Sequence, residues 1–260
     1  MKALHIAATG MKAQETNVEI ISNNVANMRT TGYKRLRADF QDLLYENQRR
    51  VGSQTSSAGT IVPTGVQVGS GVKLAATSRI MTQGTLEQTD KELDLAIRGE
   101  GFFQIQLPDG TTAYTRDGSF ERDSDGNLVT VDGYAVQPAI NIPQDGTDLS
   151  ISADGTVQVT DATGAQVTLG QLNLARFVNK SGLESIGDNL YLATDASGDA
   201  QVDIPGNDNF GDLQQGYVES SNVEAVTEIS DLIAAQRAYE MNSKIIQAAD
   251  EMLSTTSNLR

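Results

Sequence analysis

The sequence has no cysteine and no tryptophan, and its one histidine is His5. Without thiols there is no disulfide framework, no cysteine nucleophile, no thiolate zinc site and no iron–sulfur cluster. A single histidine argues against a Ser-His-Asp triad and against a multi-histidine metal site. Aromatic residues make up only 5% of the chain. Apolar residues never run beyond four in a row (Leu232 to Ala235), so no transmembrane helix is expected and the chain is read as not membrane-inserted. The opening segment MKALHIAATGMKAQ lacks the sustained apolar stretch of a cleavable signal peptide. Cations are scarce too: 19 Lys and Arg face 34 Asp and Glu, a formal charge of −15. Phosphate contacts need clustered basic residues, so nucleic acid is excluded as a general partner. At 260 residues the chain is long enough for one large domain or two ordinary ones.

What is present is unevenly placed. Residues 1–50 carry a net charge of +3, residues 221–260 a net −3, and residues 51–220 a net −15. An acidic middle repels its own copies, whereas near-neutral ends permit close self-packing.

The two ends read as long helices. Leu4, Met11, Val18 and Val25 form one heptad row, and Ala7, Gln14, Ile21 and Met28 a second. That is the seam of a coiled coil. Arg29 falls in the predicted last turn and Gly32 supplies a left-handed stop. At the other end Leu232, Ala235, Tyr239, Asn242, Ile246, Ala249 and Leu253 alternate at spacings of three and four, with Asn242 a polar residue on the seam. Ser221 and Glu224 match a capping box that would start this helix. The two seams can close on each other as a stalk, or on copies from neighbouring subunits. Alanines on both stripes, such as Ala7, Ala8, Ala234 and Ala238, permit close approach on more than one face and favour the second arrangement.

Between the helices, Asp-Gly occurs six times, the first at Asp109-Gly110 and the last at Asp154-Gly155. Flanked by alternating apolar residues, Asp-Gly signals hairpins, so the middle reads as an antiparallel β domain of short strands. Glu121 to Asp132 has spacing like that of a calcium loop, but its flanks read as strand and a plain hairpin turn is the favoured reading. Residues 46–72 are rich in Gly, Ser and Thr with valines interleaved. They read either as a flexible linker or as an extended segment that orders against a partner. The fold class is therefore α+β, with terminal coiled-coil-forming helices and an inserted antiparallel β domain. Residues 1–36 and 221–260 form the helical assembly domain, 37–84 and 206–220 an extended connection, and 85–205 the β domain.

The terminal motifs carry a resemblance. Ser22-Asn23-Asn24-Val25-Ala26-Asn27 followed by Thr31-Gly32-Tyr33-Lys34 is similar to the N-terminal signature of the bacterial flagellar rod and hook family. The C-terminal Gly216-Tyr217-Val218-Glu219-Ser220-Ser221-Asn222-Val223 and Gln236-Arg237-Ala238-Tyr239-Glu240-Met241-Asn242 resemble its other hallmark. Gly99-Glu-Gly-Phe-Phe-Gln, Tyr114-Thr-Arg-Asp-Gly-Ser-Phe120 and Gly182 to Tyr191 are most similar to the distal-rod members.

The resemblance implies a structural subunit that stacks on itself as a helical homopolymer. The resulting shaft carries torque from motor to hook and encloses the export channel. It implies neighbours as well: proximal rod proteins, the hook protein, the P-ring and L-ring proteins and the flagellar type III export apparatus. It places the protein in the basal body, crossing the periplasm to the outer membrane, exported without a cleaved signal peptide. It implies no catalysis, cofactor or metal. The expected assembly residues are Leu4, Met11, Val18, Ile21, Val25, Met28, Leu232, Ala235, Tyr239, Asn242, Ile246, Ala249 and Leu253. The family-motif residues are Asn23, Asn24, Asn27, Gly32, Tyr33, Lys34, Arg237 and Tyr239. A proximal rod or hook subunit is the alternative within the family, and a β-rich adhesin or calcium-binding module the alternative outside it.

Overall fold

The computed structural model describes residues 2–52, 64–143, 146–161, 164–207 and 209–258. Their contacts divide into two compact units. One comprises Met1–Val25, Leu36–Ser78 and Glu224–Arg260; the other comprises Ala26–Arg35 and Arg79–Val223.

The first unit holds the two long helices, α1 (Lys2–Ala26) and α2 (Ala225–Asn258). They lie side by side and antiparallel. A Cβ added at Gly10 would stand 2.9 Å from the Asn242 side chain, and Asn24 Nδ2 donates to Glu228 Oε2 at 3.1 Å. These two meeting points are two heptads apart on each helix, so the register of the pair is fixed at both. Glycine lowers helix propensity by about 1 kcal/mol. Gly10 stands where the neighbouring helix leaves no room for a side chain. Within one chain, then, α2 meets α1 at Gly10 and Asn24, each one residue before a residue of the expected seam, Met11 and Val25.

The rest of this unit is a two-stranded ribbon. Leu36–Asp42 pairs with Val72–Arg79, and further out Tyr45–Arg49 runs antiparallel to Val66–Gly69. Residues 46–52 and 64–72 are thus largely strand, while 53–63, the centre of the Gly/Ser/Thr-rich stretch, lie outside the described residues. The ribbon is tied to α1. Thr9 Oγ1 accepts from the Val72 N–H at 3.3 Å, and Lys2 pairs with Glu46.

The second unit is mostly antiparallel sheet. Its seven-stranded sheet runs in the order Glu184–Gly187, Leu190–Leu192, Thr112–Thr115, Phe103–Gln106, Ala135–Gln137, Leu128–Thr130 and Phe120–Arg122. A three-stranded sheet of Thr147–Ile151, Thr156–Thr160 and Gln166–Gln171 adds to it. Successive side chains on a strand point to opposite faces. Phe103 therefore enters the main core, edge-on to Phe120 at 5.0 Å, while Phe102 enters a second cluster with Phe177 and Tyr191. Asp-Gly fills the last two positions of four-residue turns: Gly110, Gly126, Gly133 and Gly155 each donate N–H to the carbonyl three residues earlier. All four have positive φ, the three-residue hairpin loop that closes on a left-handed glycine. Glu121 to Asp132 is one of these hairpins, with its strands at Phe120–Arg122 and Leu128–Thr130.

Two sequence expectations about helix ends differ from the structure. Gly32 is left-handed, with φ +70°, but it lies six residues beyond the end of α1, in a turn whose N–H donates to Glu219 O at 2.7 Å. Ser221 does not cap α2. Its hydroxyl accepts from Val223 N, and the helix begins at Ala225, where Thr227 donates to the Glu224 carboxylate. Between Ser221 and that start stands Asn222, whose side chain holds Arg35 N–H and the carbonyls of Ile80 and Thr82.

Candidate functional site

The seam residues split by exposure. Ile21, Ala235 and Ala249 are buried, whereas Leu4, Met11, Val18, Val25, Leu232, Asn242 and Ile246 are half-buried along the helix pair. Met28, Tyr239 and Leu253 are exposed. Tyr239 borders an open groove between the helices together with Glu15, Val18, Glu19, Gln236 and Glu240.

Asn24 is the polar pin of this unit. Its side chain accepts from Leu36 N–H at 2.9 Å and donates to Leu36 O at 2.8 Å, closing a twelve-residue loop in both directions. The same amide group reaches Glu228, which is completely buried on the first turns of α2. Buried side-chain amides are costly unless their donors and acceptors are used, so the position admits few other residues. Asn23 is exposed, and Asn27 accepts from the Thr30 hydroxyl at 3.2 Å in the turn that follows α1.

In the second unit the remaining motif residues converge on one carboxylate. Glu219 Oε1 accepts from Lys34 Nζ at 2.5 Å and from Gly84 N–H at 2.8 Å, and its Oε2 lies 3.1 Å from Arg116 Nε. Lys34, Arg116 and Glu219 are 1%, 5% and 1% exposed. Lys34 also donates to Thr82 O, and Arg116 donates to the carbonyls of Gly99 and Gly101. Burial pushes the Lys34 ammonium below the ordinary lysine pKa, against the opposing pull of Glu219; burial also lowers Arg116. Both cations remain beside the carboxylate that compensates them.

The surrounding motif residues seal this knot. Asn222 Oδ1 accepts from Arg35 N–H at 2.7 Å, and its Nδ2 donates to Ile80 O and Thr82 O. Tyr33 is buried beneath Arg79, whose guanidinium lies 5.9 Å from its ring and 5.5 Å from that of Tyr191. Burial raises the Tyr191 hydroxyl above the ordinary tyrosine value. At Gly32 a Cβ would come within 2.7 Å of Asp117 N. The N-terminal Gly32-Tyr33-Lys34, the central Gly99 to Phe102 and Arg116, and the C-terminal Glu219 to Asn222 are thus three faces of one buried contact. Sequence reasoning names Lys34 but gives Glu219 and Arg116 no role. The available signal is that each is a charged residue inside a motif otherwise built of glycine, aromatic and small polar residues.

Sequence reasoning misses a second surface altogether. Val226, Ile229, Ile233, Met241, Ile245 and Met252 are all exposed on α2. At 100° per residue Val226, Ile229 and Ile233 lie on the side of the helix away from Glu228 and Ala235, Met241 lies on its flank, and Ile245 and Met252, four and three residues from Ala249, border the buried row. Arg237, also exposed, stands among them. An amphipathic helix with one partner needs a single apolar stripe; the N-terminal half of α2 leaves Val226, Ile229 and Ile233 open besides it. No helix among the described residues is long and apolar enough to cross a membrane.

Comparison with known proteins matches the chain in three places. Residues 4–34 match a profile described as flagella basal body rod protein. Residues 96–159 match the flagellar hook protein FlgE/F/G D1 domain, and residues 214–259 match the flagellar basal body rod FlgEFG protein C-terminal. Relatives include the flagellar basal-body rod protein FlgG of Caulobacter vibrioides, 59% identical over 100% of both chains. The FlgG of Agrobacterium fabrum is 53% identical over 99% of this chain and 98% of its own. That of Bacillus subtilis is 38% identical over 100% of this chain and 99% of its own. Among solved structures, the Helicobacter pylori flagellar hook protein FlgE2 aligns at a TM-score of 0.25 and 14% identity, over 72% of this chain and 43% of that one. That likeness is too slight to bear on the fold.

Proposed function

The chain belongs to the flagellar basal-body rod and hook family, and we propose that within it the protein is a structural subunit of the distal rod. It stacks on copies of itself into the hollow shaft that transmits torque from motor to hook. Full-length identity with rod proteins supports this assignment. The observation that carries the assembly step is the outer apolar patch of α2 at Val226, Ile229 and Ile233, which stays exposed after α1 has covered the opposite face. Burying apolar surface against a neighbouring copy is worth about 25 cal/mol per Å². Helices held on two faces resist twist better than helices held on one.

In this reading the helix pair is the unit that polymerises, and the acidic β-rich unit carries the surface that meets the ring proteins. Proximal rod proteins sit below and the hook protein above, and the subunit arrives through the flagellar type III apparatus. The buried charges serve to hold the fold; we assign them no catalytic step.

The test is Ile233→Asp, a change at a half-exposed position of the outer patch. The monomer should keep its circular dichroism and melting temperature, while electron microscopy and sedimentation show filaments lost. Filaments that form as readily as those of the parent protein would defeat the reading.

A further inference from the structure

A cavity of about 430 Å³ opens beside the buried charges, with Lys34, Arg116 and Lys180 on its wall, Glu100 paired to Lys180 there, and Phe102 beside them. We propose that this cavity is a carboxylate-binding site, occupied in the assembled shaft by an aspartate or glutamate side chain of a second copy of the chain. The inference rests on the self-assembly argued above.

The charge balance is the first argument. Lys34 and Arg116 share Glu219, while Lys180 and Arg176 share Glu100. Four cations thus gather around two carboxylates, within a segment (residues 51–220) of net charge −15 that also supplies most of this cluster. Burial lowers the Lys34 pKa; the Glu219 carboxylate pulls it back up, and the positive charges of Arg116 and Lys180 work against that pull. The pocket is short of negative charge where the chain as a whole has it in excess.

Donor geometry is the second argument. An ammonium has three N–H donors and a guanidinium five. Among the described residues Lys34 directs two donors, to Thr82 O and Glu219, and Arg116 directs one each to Gly99 O and Gly101 O besides its ion pair with Glu219. Donors are therefore left on cations that are themselves more than nine-tenths buried. A third oxyanion suits them, and charge-assisted bonds to carboxylate are the strong kind. The second copy can supply it, because the turn aspartates Asp109, Asp125, Asp132 and Asp154 are all exposed.

The experiment has two arms, both on the full chain. In the first, dilute protein is titrated with sodium acetate against sodium chloride at equal ionic strength, followed by amide NMR. Acetate alone should give saturable shifts at Gly99, Gly101 and Phe102, with affinity weakened roughly tenfold in Lys180→Met. Shifts that do not saturate, or that persist unchanged in Lys180→Met, overturn the site. In the second arm, polymerisation of the parent chain is compared with that of Lys180→Glu, and with Lys180→Gln should the first fail to melt like the parent. Polymer onset should need roughly ten times more protein. Equal onset with intact acetate binding means an adventitious ion only, and the proposal falls while the shaft reading stands. A parent chain that forms no polymer at all removes the shaft reading, and the second-copy occupant with it.

Discussion

Lys34 and Glu219 meet at 2.5 Å although 185 residues separate them in the sequence, and both are almost completely shielded from water. The pair is asymmetric, because Glu219 also neutralises Arg116. Removing the carboxylate strands two buried cations; removing the lysine strands none. Glu219→Gln should therefore cost about 4 kcal/mol, and Lys34→Met about 2 kcal/mol or less. Urea unfolding midpoints decide the matter, and equal losses would refute the shared-carboxylate arrangement.

Asn24 holds Leu36 by both backbone groups and Glu228 by its side chain. Asn24→Ala leaves those buried groups without it, at about 1–3 kcal/mol for each group left unsatisfied. Hydrogen exchange should quicken at the Leu36 amide and in the first turns of α2, and stay unchanged in strand Phe103–Gln106. Uniform quickening would mean that Asn24 acts on global stability alone.

Gly32 and Gly133 are both left-handed, with φ of +70° and +85°. A Cβ at Gly133 meets nothing within 4 Å, whereas one at Gly32 collides with the Asp117 backbone. Gly133→Ala should cost about 1 kcal/mol, the conformational term alone. Gly32→Ala should cost at least about 2 kcal/mol more, since backbone atoms must move. Thermal melting of the two variants compares them directly.

The hydrogen bond from Lys180 holds the Glu100 carboxyl below the usual glutamate range, and the bond from Arg98 does the same for Asp212. A depressed carboxyl pKa contributes stability that is fully present above the unfolded value, about 4, and is lost as the pH falls through the folded value. Both sites are partly open to water, so each effect is small. Carbon-detected NMR titration should show Lys180→Met raising the Glu100 pKa and leaving that of Asp212 alone, and Arg98→Met doing the reverse. Movement of both in either variant would show a wider coupling.

Much of this architecture is legible in the sequence, for reasons that can be named. The heptad rows from Leu4 to Met28 and from Leu232 to Leu253 require amphipathic helices whatever they meet. Asp-Gly after alternating apolar residues requires hairpins. Partners across long separations are not legible. Nothing local to Lys34 indicates Glu219, and nothing local to Ser221 reveals that Asn222 is drawn to Arg35 and Ile80. Neither does periodicity alone reveal that Val226, Ile229 and Ile233, on the side of α2 away from Glu228 and Ala235, stay open. Gly10 reads as a defect in a helix until the Asn242 side chain is found against it.

Both clasps of the chain join an early residue to a late one: Lys34 to Glu219, and Asn24 to Glu228. Whatever path delivers the polypeptide, if it is threaded from the N-terminus neither clasp can fasten until residue 219, and then residue 228, has emerged. Closing so long a loop carries an entropic penalty that only the complete contact offsets. On such a path the two clasps are the last parts of the fold to fasten, whatever hairpins have formed before them.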